Sequence, residues 1–381
     1  MGVPLYRNAL IFLIVALVLV FMLPTPGKKE IPAGAEDVCH GPRLTTVQER
    51  NAAMETGYAI HPIYGCIEKQ SFAAIEAQRL ASEQAQAQRV SAERAQMATA
   101  GSGGFAQARH GFSTAIVERD ATKLPLPTPP PHLFVRSDYR NPQNTTLTGY
   151  MSPDPADGKR HPAIIWLTGG DTNSLDDFWT PGPDANDQTA RAFREAGVIM
   201  VFVTLRGGNG HRGQREWFLG EVDDVLAAAT QLAQIAYVDP GQIYLGGHST
   251  GGTLALLVAA TGRHFKAVFA FGPVASVDSY PRDIVPVDFS AYDPMELKLR
   301  SPIHWLSDIE QPTYLIEGTS SPSNLADLDT MCKRSRNPDV HCLRVPGADH
   351  FSVIRRATKV IAAQIAGSPE ALSLETKDIA P

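Results

Sequence analysis

The chain has 381 residues, of which 43% are hydrophobic and 19% are charged, a composition typical of globular proteins. This length accommodates one domain of about 200–250 residues together with additional segments. The formal net charge is −6, and the sequence contains no lysine- or arginine-rich block, so composition gives nucleic-acid binding no support.

The first feature along the chain is an uncharged apolar run, ALIFLIVALVLVFML, at residues 9–23. Its length of about 15 residues lies between that of a signal-peptide core and that of a full membrane span. A candidate cleavage sequence, AGA, is present at 33–35, but its distance from the apolar run favours an uncleaved anchor. We assign residues 1–27 to a transmembrane anchor or signal segment. We expect the rest of the chain to be extracytoplasmic and attached to the membrane.

The four cysteines form two local pairs, Cys39 with Cys66 and Cys332 with Cys342. An even number of cysteines in local pairs is typical of disulfides in an oxidising compartment, whereas four unrelated thiols are the alternative. Cys332 and Cys342 lack the neighbouring cysteine and histidine residues that a zinc site requires. The pattern therefore predicts two disulfide bonds.

Residues 28–130 differ in composition from the C-terminal two thirds of the chain, and we interpret them as a helical extension and a linker. Residues 68–100 are rich in Ala, Gln, Glu and Arg and contain neither Pro nor Gly, which predicts a long helix. Such a helix could mediate self-association, stand as a stalk, or pack on the next domain. The proline-rich stretch LPLPTPPPH at 124–132 is a stiff connector, so we place the catalytic domain at 131–381.

Within this domain, strand and helix patterns alternate. The stretches LFVRSDY and TLTGYM predict an antiparallel pair, whereas AIIWLT and VIMVFVTL are continuous apolar runs typical of central strands. Helical patterns are present at 185–196 and 221–236, and an amphipathic helix closes the domain. This order predicts an α/β fold in which helices cover both faces of a mostly parallel sheet.

The stretch GGHSTGG, at 246–252, lies between an apolar run typical of a strand and a helical pattern. A serine flanked by glycines in a strand–turn–helix context is the signature of a nucleophile elbow, so Ser249 is the candidate nucleophile. Thr250 follows it at the start of the helix, where its backbone N–H can stabilise an oxyanion. His350 lies in the loop between the last strand and the last helix, and serine before histidine is the chain order that this architecture requires.

Several further stretches carry a family resemblance, namely LRGGNGHRG, the segment leading from GEVDDV into GGHSTGG, and SPIHWLSDIEQPTYLIEGT. They resemble the catalytic domain of the prolyl oligopeptidase family and its dienelactone-hydrolase-like relatives. The resemblance covers about residues 131–366. It implies the α/β-hydrolase fold and a covalent acyl-enzyme mechanism in which Ser249 is the nucleophile and His350 the general base.

The resemblance also implies a second oxyanion donor on the loop after the third strand, here WLTGGDTNS. Gly169 or Gly170 would supply this N–H group, with Thr168 in place of the histidine usual in the family. A role for these glycines in a turn alone is the other interpretation.

The acid of the triad is where the sequence departs from the family pattern Gly-Thr-x-Asp. The chain reads Gly318-Thr319-Ser320-Ser321, so no aspartate stands at that position. We favour Glu317, because a carboxylate at the end of a buried strand otherwise needs an explanation. Two alternatives remain. The acid is Asp278, Asp327 or Asp329, or the site is a serine–histidine dyad without an acid.

The sequence thus predicts a serine hydrolase that cleaves ester or short-peptide bonds in small-molecule or peptide substrates and needs no cofactor or metal. The alternative is a catalytically impaired hydrolase scaffold that binds a partner through residues 68–100. Residues 24–130 are too few for the β-propeller of prolyl oligopeptidases, so specificity for proline is not carried over. The long segment 272–301 is either a lid over the pocket or a helix packed on the sheet edge.

Overall fold

The computed structural model describes residues 58–61, 65–68, 81, 104–118, 124–367 and 372–379. The apolar run at 9–23, Cys39 and nearly all of the predicted 68–100 helix lie outside these ranges. Among the residues that are described, no helix has the length and apolar character needed to cross a membrane. The chain divides into two compact units at the Ala100–Gly101 bond. In the first, β1 (Tyr58–His61) pairs antiparallel with β2 (Gly65–Glu68).

The second unit alternates strands and helices. Its strands are β3 (Val135–Arg140), β4 (Thr146–Met151), β5 (His161–Leu167), β6 (Ile199–Phe202), β7 (Val238–His248), β8 (Val268–Phe271), β9 (Thr313–Gly318) and β10 (Val340–Val345). Its helices are α1 (Phe105–Arg109), α2 (Ala192–Glu195), α3 (Glu221–Leu232), α4 (Thr250–Ala259), α5 (Pro294–Lys298), α6 (Leu325–Arg334), α7 (Ser352–Gly367) and α8 (Thr376–Ile379).

These eight strands form one sheet in the order β10-β9-β8-β7-β5-β6-β4-β3. The pairs β6–β5, β5–β7, β7–β8, β8–β9 and β9–β10 are parallel. β3 and β4 form the predicted antiparallel pair, and β4 also runs antiparallel to β6. The predicted α/β fold with a mostly parallel sheet is therefore confirmed. In a parallel sheet the carboxyl ends of the strands share one edge, and the loops after β5, β7, β9 and β10 meet there.

The central strands are apolar because both of their faces are covered. Successive side chains point to opposite faces of a strand. Ile165 of β5 accordingly belongs to the core under α3 and α4, whereas Ile164 and Trp166 belong to the core under α2 and α7. All six residues of β9 are buried, including Glu317.

The helix predicted at 185–196 is shorter than its pattern, since α2 covers only Ala192–Glu195. Ala190 has φ of 44°, in the left-handed region, which a right-handed helix cannot include. The residues before it form turns, in which Asn186 N–H bonds to Pro183 and Ala190 N–H bonds to Asp187. The helix predicted at 221–236 ends four residues early, at Leu232.

Residues 104–118 precede the predicted start of the catalytic domain at 131, yet they pack against it. Phe105 is fully buried, and its ring lies 5.2 Å from that of Trp305. Farther along, the backbones of Glu118 and Arg215 exchange two hydrogen bonds of 2.8 and 3.2 Å. This segment is therefore part of the second unit, residues 101–381, which we call the hydrolase unit after the activity that the sequence predicts.

The predicted disulfide between Cys332 and Cys342 is present and connects α6 with β10. The pairing of Cys39 with Cys66 stays a prediction, because Cys39 lies outside the described residues.

Candidate active site

Ser249 occupies a sharp turn between β7 and α4. Its φ and ψ are 55° and −115°, a combination that non-glycine residues adopt only when the surrounding structure holds them there. The Ser249 N–H donates a 2.7 Å hydrogen bond to the carbonyl of Phe271 at the end of β8. A Cβ atom at Gly251 would lie 2.3 Å from the carbonyl oxygen of Leu167, so α4 can start this close to β5 only with glycine there. The backbone therefore has the geometry of a nucleophile elbow.

His350 and Glu317 contact each other directly. Nδ1 of His350 lies 2.9 Å from Oε2 of Glu317, which is fully buried. The same carboxylate accepts backbone N–H bonds from Gly318 at 2.7 Å and from Asn324 at 3.1 Å. The backbone N–H of His350 donates a 2.8 Å hydrogen bond to the carbonyl of Pro322. These bonds fix the imidazole ring and compensate the burial of the carboxylate.

The other three candidate acids are engaged elsewhere. Asp278 accepts a 2.6 Å bond from the hydroxyl of Ser276. Asp327 accepts the N–H of Ala275 at 2.8 Å, and Asp329 forms an ion pair of 2.6 Å with Arg344. Of the four carboxylates that the sequence left open, Glu317 is thus the one that the structure brings to His350.

The residues predicted to form the oxyanion site lie beside the nucleophile. A Cβ atom at Gly169 would be 3.4 Å from Cβ of Ser249, so the glycine backbone lies against that side chain. The hydroxyl of Thr250 donates a 3.1 Å bond to the carbonyl of Gly170 and accepts a 2.7 Å bond from Thr172. These bonds connect the loop after β5 to the first turn of α4. The N–H groups of a helix's first turn are in general suited to bind an anion.

Tyr280 lies near the candidate nucleophile, whereas the sequence placed it only on the 272–301 segment, either in a lid or in a helix on the sheet edge. It is buried on the segment after β8, and its hydroxyl lies 2.7 Å from that of Thr253, one turn after Ser249 on α4. Its ring stacks on that of Phe218 at 6.1 Å. Burial raises the pKa of the Tyr280 phenol, and hydrogen bonds with Thr253 and Ser249 partly oppose this effect. The phenol therefore stays protonated next to the candidate nucleophile.

No group of three or more His, Cys, Asp or Glu side chains that could hold a metal ion occurs in the described ranges. The arrangement that the described residues provide is a hydroxyl on a strained turn, a histidine fixed by a carboxylate, and a glycine backbone beside the serine side chain. This set of groups is suited to acyl transfer through a covalent serine intermediate.

Comparison with known proteins agrees with this geometry. Residues 184–364 match the model of the prolyl oligopeptidase family. A dual function macrocyclase-peptidase from Galerina marginata is 29% identical over 176 residues, which cover 40% of this chain and 23% of that protein. The match therefore spans about a quarter of the curated relative's length.

Many solved structures share the fold, among them the following two. The crystal structure of puromycin hydrolase has a TM-score of 0.50 at 19% identity, covering 64% of this chain and 41% of the other. The structure of a puromycin-hydrolyzing peptidase from Mycobacterium tuberculosis has a TM-score of 0.51 at 19% identity, covering 61% of this chain and 39% of the other.

Proposed function

We propose that this protein is a serine hydrolase that cleaves ester or short-peptide bonds through an acyl-enzyme on Ser249. Residues 184–364 belong to the prolyl oligopeptidase family, and this membership supports the proposal. The observation that carries the proposal is the 2.9 Å contact between His350 and Glu317, in a chain whose serine lies on an elbow. A carboxylate on Nδ1 fixes the tautomer in which Nε2 accepts a proton.

In the proposed first step, Oγ of Ser249 attacks the carbonyl carbon of the substrate while His350 accepts the serine proton. The negative charge that develops on the carbonyl oxygen is stabilised by the N–H of Thr250 and by that of Gly169 or Gly170. Protonated His350 then transfers its proton to the departing alcohol or amine, which leaves an acyl ester on Ser249. Water, deprotonated by His350, hydrolyses this ester and restores the free serine.

Two features support an extracytoplasmic location with a membrane anchor. The apolar run at 9–23 precedes the hydrolase unit, and the Cys332–Cys342 disulfide is typical of oxidising compartments. Self-association through 68–100 is a further part of this proposal. Retention of the full chain in the membrane pellet after alkaline carbonate extraction would support the anchor, whereas its release would contradict it.

Labelling of the full chain with a fluorophosphonate probe tests the proposed nucleophile and base. We expect labelling to be absent in Ser249→Ala and to slow by at least about 100-fold in His350→Ala, because general base catalysis contributes about that much. Ser290→Ala is the matched control, since Ser290 lies outside the site and bonds to Asp288. A correctly folded wild-type chain that does not react would contradict the enzyme mechanism and favour the impaired scaffold.

A further inference from the structure

His248, the residue before the nucleophile, connects three loops of the site. It is 1% exposed, and both of its ring nitrogens have partners. Its Nε2 lies 2.9 Å from the carbonyl oxygen of His350, and its Nδ1 lies 3.1 Å from Nε2 of Gln188. The ring centroids of His248 and His350 are 4.5 Å apart. The proposed mechanism gives none of these contacts a role.

The partners determine which nitrogen of His248 carries the hydrogen. A carbonyl oxygen only accepts hydrogen bonds, so Nε2 must donate to His350. Nδ1 of a neutral imidazole then accepts, and the amide of Gln188 provides the donor. The same amide nitrogen also bonds to Oδ1 of Asn186 at 2.7 Å, so both of its hydrogens are used. Gln188 thereby selects the tautomer of His248 that can hold His350.

Burial lowers the pKa of His248 well below its ordinary value, and the neighbouring His350 lowers it further. A histidine whose pKa lies below its ordinary value is neutral at neutral pH. A protonated ring would direct a second N–H at the Gln188 amide, which has no lone pair at that nitrogen.

Two hydrogen bonds hold the backbone of His350, the candidate general base, and one of them comes from His248. The N–H of His350 bonds to Pro322, and its carbonyl accepts from His248. The same imidazole leaves no room for a side chain at Gly169 in the loop after β5, because a Cβ atom there would lie 2.8 Å from Nδ1 of His248. One buried ring thus touches both the base loop and the predicted oxyanion loop.

We propose that His248, held in one tautomer by Gln188, is a positioning residue that sets the placement of His350 relative to Ser249. This inference rests on the proposed function, since it assigns a role within the same site. Its energetic basis is that errors of about 1 Å in the position of a catalytic group can reduce rates about 100-fold.

The test compares His248→Phe, His248→Gln and Gln188→Leu in the full chain, with p-nitrophenyl acetate as the probe substrate. Phenylalanine retains a ring but removes both hydrogen bonds, so we expect kcat to fall roughly 10- to 100-fold with little change in KM. Glutamine carries an N–H donor at a position similar to Nε2, so it should restore kcat to within about 3-fold of wild type. Gln188→Leu should lower kcat by about 3- to 10-fold, because the tautomer is no longer selected.

A double variant separates positioning from general destabilisation. If both residues act through the same contact, His248→Phe combined with Gln188→Leu should be no slower than His248→Phe alone. Equal kcat in wild type and His248→Phe would overturn the inference, as would equal losses in His248→Phe and His248→Gln or fully multiplicative losses in the double variant. A wild-type chain with no more activity than Ser249→Ala would instead overturn the proposed function itself.

Discussion

At the scale of single residues, the carboxylate of Glu317 is the group on which the orientation of the candidate base depends. Its Oε2 lies 2.9 Å from Nδ1 of His350, and two backbone N–H groups hold it in place. Replacing Glu317 with glutamine keeps the size of the side chain but can present an N–H to Nδ1, which favours the wrong tautomer. We expect kcat to fall by roughly 10²- to 10⁴-fold, as for loss of the acid in other triads, with KM little changed. Steady-state hydrolysis of p-nitrophenyl acetate gives both values.

Asp329→Asn is the matched control for this substitution, because Asp329 is also a candidate acid and forms an ion pair with Arg344 on the surface. Its kcat should equal that of wild type. A Glu317→Gln enzyme as fast as this control would show that the histidine needs no acid.

The three members of the candidate triad differ in how far the sequence alone identifies them. Ser249 and His350 can be identified from local patterns, because an elbow and a strand–loop–helix junction are encoded by neighbouring residues. The acid stays open among Glu317 and three aspartates at that stage. Parallel pairing of β9 with β10 sets which carboxylate reaches the histidine, and no short stretch of sequence encodes that pairing. The catalytic roles of all three stay predictions.

At the scale of secondary-structure elements, the strands agree with the sequence patterns more closely than the helices do. The buried strands are marked by continuous apolar runs, and β9 matches the stretch TYLIEG residue for residue. The helix predicted from 185 fails because Ala190 takes a left-handed conformation, and a helical pattern of apolar residues does not report a single φ angle. The position of Tyr280 next to α4 is also beyond the reach of the sequence patterns, since only tertiary packing brings the 272–301 segment there.

The burial of His304, in the short turn Pro302–His304 after α5, predicts a dependence of stability on pH. Burial lowers the pKa of His304 to about 4, and the positive charges of Arg334 and Lys298 contribute. Between about pH 6.5 and 4 the unfolded chain binds a proton at this site and the folded chain does not. Stability from this group is therefore lost as the pH falls through that range, by about 1–2 kcal/mol between pH 7 and 5.

The check is urea unfolding of wild type and His304→Gln at pH 7 and at pH 5. Glutamine does not titrate, so the variant should lose less unfolding free energy than wild type on acidification. Identical losses in the two proteins would show that His304 does not contribute to acid sensitivity.

At the scale of the whole molecule, the hydrolase unit extends farther towards the N-terminus than the proline-rich connector indicates. The segment 104–118 contributes the buried side chains Phe105 and Ile116 to the core. The N–H of Phe105 also donates a 2.6 Å bond to Asp308. Composition does not reveal this packing, because the segment is short and is separated from the strands by the connector.

Phe105→Ala should therefore destabilise the hydrolase unit strongly. Removing a fully buried aromatic ring leaves a cavity against Trp305, and we expect a loss of about 3–5 kcal/mol in the free energy of unfolding. Val117→Ala is the control from the same segment, since Val117 is 37% exposed and should change stability by no more than about 0.5 kcal/mol. Equal effects, measured by urea denaturation, would mean that the segment does not stabilise the unit.

The class of fold, the candidate elbow at Ser249, the histidine of the last loop and the pairing of Cys332 with Cys342 could all be predicted from the sequence. Each of these features is encoded by residues that are close together in the chain or by the spacing of apolar residues along it, and both can be read without coordinates. Coordinates were needed to show that Glu317 is the carboxylate at His350, that Tyr280 lies near α4, and that His248 contacts the backbone of His350. These contacts join residues as far as 102 positions apart, and the register and order of the sheet bring them together.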